Sequence, residues 1–100
     1  MICSLIPRKI WREGKIARTS DSHADWARSV AQAEGAAFID LHERIAARYD
    51  ELGPDPVNAF FADERVHTSA AGAAFNAARV FEGLRELPQS PVAAWFRASP

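Results

Sequence analysis

The sequence predicts an α/β fold built on a parallel sheet, and three observations carry that reading. Two short, largely apolar runs, residues 1–6 and 36–41, have the composition of strands buried on both faces. Segments with helical periodicity lie between and after them. The resulting order is strand, helix, strand, helix, helix, which is how parallel strands joined by crossovers are written in a chain.

Residues 1–6 are stopped by Pro7 and are too short for a secretory leader, so they read as a strand. Residues 8–18 form a mixed polar loop containing Trp11 and Gly14. Ser20, Asp21 and Ser22 are possible caps for the first helix, and Ser22 with Asp25 has capping-box spacing. Trp26, Ala27, Val30 and Ala31 fall on one face of that helix, and Gly35 suits a left-handed end. A second strand covers residues 36–41. The next helix covers 42–52, with Leu41, Ile45, Tyr49 and Leu52 as its stripe, and Gly53-Pro54 ends it. One further turn is expected at 56–61 and a polar loop at 62–67. Thr68 or Ser69 then caps a long helix running to about residue 87, whose expected core stripe is Ala73, Ala77, Val80, Phe81 and Leu84. Pro88 and Pro91 break it, and Trp95 and Phe96 are expected to pack back on the body.

At 100 residues the chain has room for one small domain. With 48% hydrophobic and 25% charged residues, it has a globular and not a disordered composition. Net charge is -1 with the signs mixed along the chain, so no basic stripe exists to neutralise a nucleic-acid backbone. No apolar run reaches the roughly 18 residues that span a bilayer. Cys3 is the one cysteine, which excludes an internal disulfide and a zinc site of several thiolates. Cys3 itself reads as a strand residue and not a nucleophile. Two strands leave much of a parallel sheet uncovered, so the sheet is expected to be part of a larger one.

The stretch that carries chemistry is Asp63-Glu64-Arg65-Val66-His67-Thr68-Ser69-Ala70-Ala71-Gly72-Ala73. A carboxylate stands three or four positions before a histidine, and the histidine stands just before a helix. Such a loop can point acid and imidazole at each other, fixing the tautomer and stabilising the imidazolium as a serine hydrolase requires. The same spacing also describes an ordinary solvated pair of charges. Gly72 is suited to close packing of the helix start against neighbouring backbone.

His67-Thr68-Ser69-Ala70-Ala71-Gly72-Ala73, with Asn76-Ala77 and Glu82-Gly83-Leu84 after it, resembles the final conserved block of the SGNH/GDSL hydrolases. The likeness is greatest to the rhamnogalacturonan acetylesterase branch, whose Asp-x-x-His-Thr motif leads into a Gly-Ala helix. Ser4-Leu5-Ile6-Pro7-Arg8, Trp11, Gly14, Trp26 and Phe38-Ile39-Asp40-Leu41 are similar to the segments that precede that block, so the resemblance covers nearly the whole chain. It implies the C-terminal portion of a flavodoxin-like three-layer α/β/α domain, with residues 1–100 as part of one domain. It also implies a serine esterase that deacetylates acetylated, pectic carbohydrate without metal or organic cofactor. The family's acid lies three residues before the histidine, which favours Glu64 by register, with Asp63 next. Its Gly-Asp-Ser block has no counterpart in this sequence. Asp21-Ser22 lacks the preceding glycine and reads as capping. This chain is thus expected to supply His67 and an acid but not the serine.

Arg8 and Trp11 follow the first strand, at the end of the sheet where open α/β folds place their sites. They are expected either to line a sugar groove or to act as a solvated charge and a loop anchor. Asp40 is read as structural, His23 and His42 as surface residues, and Asn76 as bonding locally on its helix. The three histidines lack metal-site spacing. The alternative reading is a non-catalytic α/β module that binds a partner, or a second copy, through its open sheet edge. Family members are often secreted or periplasmic, and the sequence leaves the compartment of this chain open.

Overall fold

A computed structural model of the chain describes residues 1–18, 23–88, 90 and 92–96. The protein is mixed α/β, with a two-stranded parallel sheet formed by β1 (Ile2–Cys3) and β4 (Phe38–Ile39), in register Ile2 with Phe38 and Cys3 with Ile39. Both strands are shorter than expected because their ends are taken by other bonds. The Leu5 carbonyl turns away to the ring of His42, and Asp40 already caps the helix that begins at Leu41.

Residues 8–18 correct the loop expectation. Trp11–Arg12 (β2) and Lys15–Ile16 (β3) pair antiparallel as a hairpin. Its two-residue turn, Glu13-Gly14, has positive φ at both positions, 52° and 80°, as a tight hairpin needs. The hairpin is fastened to α2 (Leu41–Leu52) by buried Ile16, whose N–H donates to Asp50 at 2.7 Å. Arg18 bonds Glu43 and Asp50. Those bonds, Glu43 first, raise its pKa.

α1 (His23–Glu34) packs on the sheet through Ala27, Arg28 and Ala31, with Arg28 over the Phe38 ring at 5.0 Å. Trp26, 61% exposed, and Val30 face outward, which overturns their expected place on the buried face: the small alanines let the helix lie close to the strands instead. The expected caps Ser20, Asp21 and Ser22 lie outside the described residues, as does Pro91. Gly35 has φ 66° and closes α1 as anticipated.

α2 carries the centre of the core: Ile45, Ala46 and Tyr49 are fully buried and meet Ile39, Val57 and Phe61. The short α3 (Pro54–Asn58) follows Gly53, whose φ of 83° ends α2. α4 (Ala70–Glu86) starts at Ser69, whose hydroxyl accepts the Gly72 N–H at 3.2 Å. The face that α4 buries differs from the expected stripe. Gly72, Asn76 and Gly83 are buried, Phe75, Val80 and Leu84 are partly buried, and Ala73, Ala77 and Phe81 face out. Glycines add nothing to an apolar stripe, yet here they define the contact. A methyl at Gly72 would overlap the Phe60 carbonyl oxygen, and one at Gly83 would lie 2.7 Å from Ile39. Since Phe38 meets α1 and its neighbour Ile39 meets α4, helices cover both faces of the sheet.

Asn76 also departs from expectation, bonding across to α2: its Oδ1 accepts the Tyr49 hydroxyl at 3.2 Å. In the tail, Phe96 packs edge-on against Phe81 at 5.5 Å, whereas Trp95 is 81% exposed.

Candidate functional site

The loop between α3 and α4 is closed by backbone bonds at its base. Phe61 pairs with Thr68, the Ala62 N–H reaches the His67 carbonyl at 2.8 Å, and the Ser69 N–H reaches Phe60 at 2.9 Å. Within that frame Asp63 acts as an organiser. Its Oδ1 accepts the N–H groups of Arg65, Val66 and His67 at 3.0, 2.8 and 3.0 Å. Its Oδ2 faces Nδ1 of the His67 imidazole within hydrogen-bond range. These bonds, the Val66 N–H first and then the His67 ring, hold the Asp63 carboxyl well below the usual carboxylate range. An ionised Asp63 is an acceptor only, so Nδ1 must carry the proton, and neutral His67 presents Nε2 as a base.

Register favoured Glu64 as the partner of His67, and here the geometry differs. The carboxylate on the imidazole belongs to Asp63, and among the described residues no hydrogen bond or ion pair joins Glu64 to His67. The reason is the turn itself. A side chain that accepts the N–H groups two, three and four positions on, as Asp63 does, stands at the start of the turn, and its second oxygen is then left over for the ring.

The chain leaving β1 supplies the facing wall. Leu5, Ile6, Pro7 and Arg8, with Val66, His67 and Thr68, line an open cavity of about 420 Å³. The wall is held at both ends. The Lys9 N–H donates to the Arg65 carbonyl at 2.9 Å, and the Leu5 carbonyl lies 3.0 Å from Nδ1 of His42. Behind it, the Ser4 hydroxyl donates to Asp40 and accepts the His42 N–H, both at 2.8 Å, while Arg28 bonds the other Asp40 oxygen at 3.1 Å. Ser4 and His42 are each 4% exposed, so His42 is a buried residue and not a surface one. No local pattern marks this polar knot, because Ser4 and His42 lie 38 positions apart. Asp40 caps α2, as its structural reading required.

Arg8 and His67 therefore share one cavity, and Trp11 does not join them: it lies in β2, packed against the core. His67 is 81% exposed at the side chain. Cys3 is partly buried, and burial pushes its thiol pKa up, away from thiolate chemistry. A larger cavity, about 590 Å³, lies between α2 and α4 and is floored by Phe38, Ile39 and Leu87. The residues of the His67 loop lie elsewhere. Among the described residues, no group of three or more His, Cys, Asp and Glu side chains is placed to hold a metal ion.

Seventy-two residues of the chain align with a curated relative at 31% identity. That relative is the rhamnogalacturonan acetylesterase of Emericella nidulans. The alignment takes in 72% of this chain and 29% of the relative, so the chain spans well under half of that protein's length. No family model matches the sequence, and no solved structure matches it. The similarity supports an esterase-like relation and goes no further by itself.

Proposed function

We propose that this chain carries the histidine and acid of a carboxylic-ester hydrolase of the SGNH/GDSL type. In this reading residues 1–100 are the C-terminal part of one flavodoxin-like domain, and the nucleophilic serine belongs to polypeptide outside them. The observation that carries the proposal is the Asp63–His67 pair set on a cavity at the carboxyl end of a parallel strand, in a chain similar to an acetylesterase. The substrate that the relative's name suggests is an acetylated pectic polysaccharide.

The chemistry is acyl transfer. The serine Oγ bonds to the acetyl carbon while Nε2 of His67 takes the hydroxyl proton. The bond to the sugar oxygen then breaks, and that oxygen leaves with the proton from the imidazolium. Water repeats the sequence on the acyl-serine and releases acetate. Asp63 remains ionised throughout and stabilises the imidazolium. Arg8, which lines the same cavity, is the substrate-binding side chain in this reading. Glu64 is the reserve acid, and Trp11 is assigned to the hairpin core.

A chimera tests this: the present chain replaces the matching segment of the Emericella enzyme, and hydrolysis of p-nitrophenyl acetate is followed. Turnover is expected, with a loss of about a hundredfold or more in His67→Ala. A folded chimera without esterase activity, or one indifferent to His67→Ala, would overturn the proposal. The second reading, a non-catalytic module, draws on the open sheet edge: among the described residues no strand pairs with the outer side of β1 or of β4, and Met1, Leu5 and Ile6 are exposed. That reading predicts association of the chain in solution and an inactive chimera.

A further inference from the structure

The cavity beside His67 has an unusual lining for a sugar site. Its wall is aliphatic, made by Leu5, Ile6, Pro7 and Val66, and its one permanent cation is Arg8. Among the described residues Arg8 takes part in no hydrogen bond or ion pair through its guanidinium. Asp63, the acid bonded to His67, has its charge committed to three N–H groups and the His67 ring, and no hydrogen bond or ion pair joins Arg8 to Asp63 or Glu64. An uncommitted guanidinium beside an aliphatic wall complements a carboxylate with an aliphatic tail. Sugar rings ask instead for aromatic faces and dense hydrogen-bond donors, and Trp11 and Trp26, which could stack on one, lie outside this lining.

We infer that this cavity binds short aliphatic carboxylates, the acid to Arg8 and the tail along Leu5, Ile6 and Val66. The inference rests on the esterase reading only for its biological meaning. Within that reading, the acyl arm of the ester occupies this cavity, acyl chains longer than acetyl are accepted, and the released acid is held as a product inhibitor.

The magnitude follows from exposure. Leu5, Ile6 and Val66 are 55%, 46% and 49% exposed, so a tail would be covered on one side only. Full burial strengthens binding by about fourfold per methylene, and half burial by about twofold. Hexanoate should then bind about fourfold more tightly than butanoate and roughly sixteenfold more tightly than acetate.

The test is an NMR titration of the isotope-labelled chain with sodium acetate, butanoate and hexanoate, and with hexan-1-ol as the uncharged tail. Hexanoate is expected to shift Leu5, Ile6, Arg8, Val66 and His67 and to show the stated chain-length series. Arg8→Gln should bring hexanoate down to the affinity of hexan-1-ol, and Ile6→Ser should flatten the series; both positions are exposed, so the fold survives either change. Shifts centred elsewhere, affinity independent of chain length, or an Arg8→Gln variant that binds hexanoate as the parent does would overturn the inference. An inactive chimera that contains a chain with this binding series would remove the esterase reading and leave the carboxylate site standing. An active chimera without the series would do the reverse.

Discussion

Asp63 divides its two carboxylate oxygens between backbone and ring: Oδ1 collects three consecutive N–H groups, and Oδ2 is turned to Nδ1 of His67. One side chain thus shapes the loop and also sets the histidine tautomer. The two tasks are separable by mutation, because they use different atoms.

Asp63→Asn retains an oxygen for the three N–H groups but places an amide NH₂ where the Nδ1 acceptor was. The loop should keep its shape while His67 changes tautomer, moving its proton to Nε2. Asp63→Ala should lose both. Nitrogen-15 shifts of the imidazole report the tautomer, and hydrogen exchange at Arg65, Val66 and His67 reports the turn. An Asp63→Asn variant with unchanged ring shifts would show that the pair does not form in solution.

Acid should leave this turn intact longer than an ordinary carboxylate would allow. The Asp63 carboxyl is held below its unfolded value of about 3.9. A depressed folded pKa gives stability that is complete above the unfolded value and is lost only as pH falls through the lower, folded one. The amide shifts of Val66 and His67 should therefore show no carboxylate titration between neutrality and pH of about 4. A titration of those amides with a midpoint near the unfolded value would contradict the observed bonding.

Gly72 and Gly83 should respond differently to alanine, although both are buried on α4. At Gly72 the added methyl meets backbone, overlapping the Phe60 carbonyl oxygen and lying 2.8 Å from its carbon. Backbone cannot swing aside, so Gly72→Ala should cost about 1–3 kcal/mol and shift the strand-like pairing that frames the His67 loop. At Gly83 the nearest atom, 2.7 Å away, is a methyl of the Ile39 side chain. Ile39 is β-branched and buried, so this methyl yields only if the side chain or its strand shifts; a helix-propensity gain of about 1 kcal/mol offsets part of that cost, leaving a loss smaller than at Gly72. Urea denaturation of the two variants checks the order; equal midpoints would show that α4 sits less tightly on Phe60 than its geometry implies.

The parts of the fold legible in the sequence were those with a long periodic signal or a strong cap. α2 and α4 fall almost where periodicity placed them, and Ser69, Gly35 and Gly53 act at the helix ends as their chemistry suggested. The hairpin of β2 and β3 leaves little trace in the sequence, because strands of two residues show no alternation and a Glu-Gly turn is a faint signal. Periodicity places Val80 and Leu84 of α4 against the core but not Gly72, Asn76 and Gly83, because close approach by glycine leaves no hydrophobic trace. The pairing of Arg8 with His67 in one cavity was half legible, since each was singled out alone.

What the sequence determined by itself is local: the order of strands and helices, their caps, and a histidine preceded closely by two acids. Those follow from neighbours along the chain, where spacing of a few residues fixes geometry. The tertiary structure decided which acid reaches the imidazole, that His42 and Ser4 are buried together, and that the segment after β1 faces the loop before α4. Each of these depends on backbone hydrogen bonds and packing between residues far apart in sequence, whose energies exist only once the chain has closed on itself.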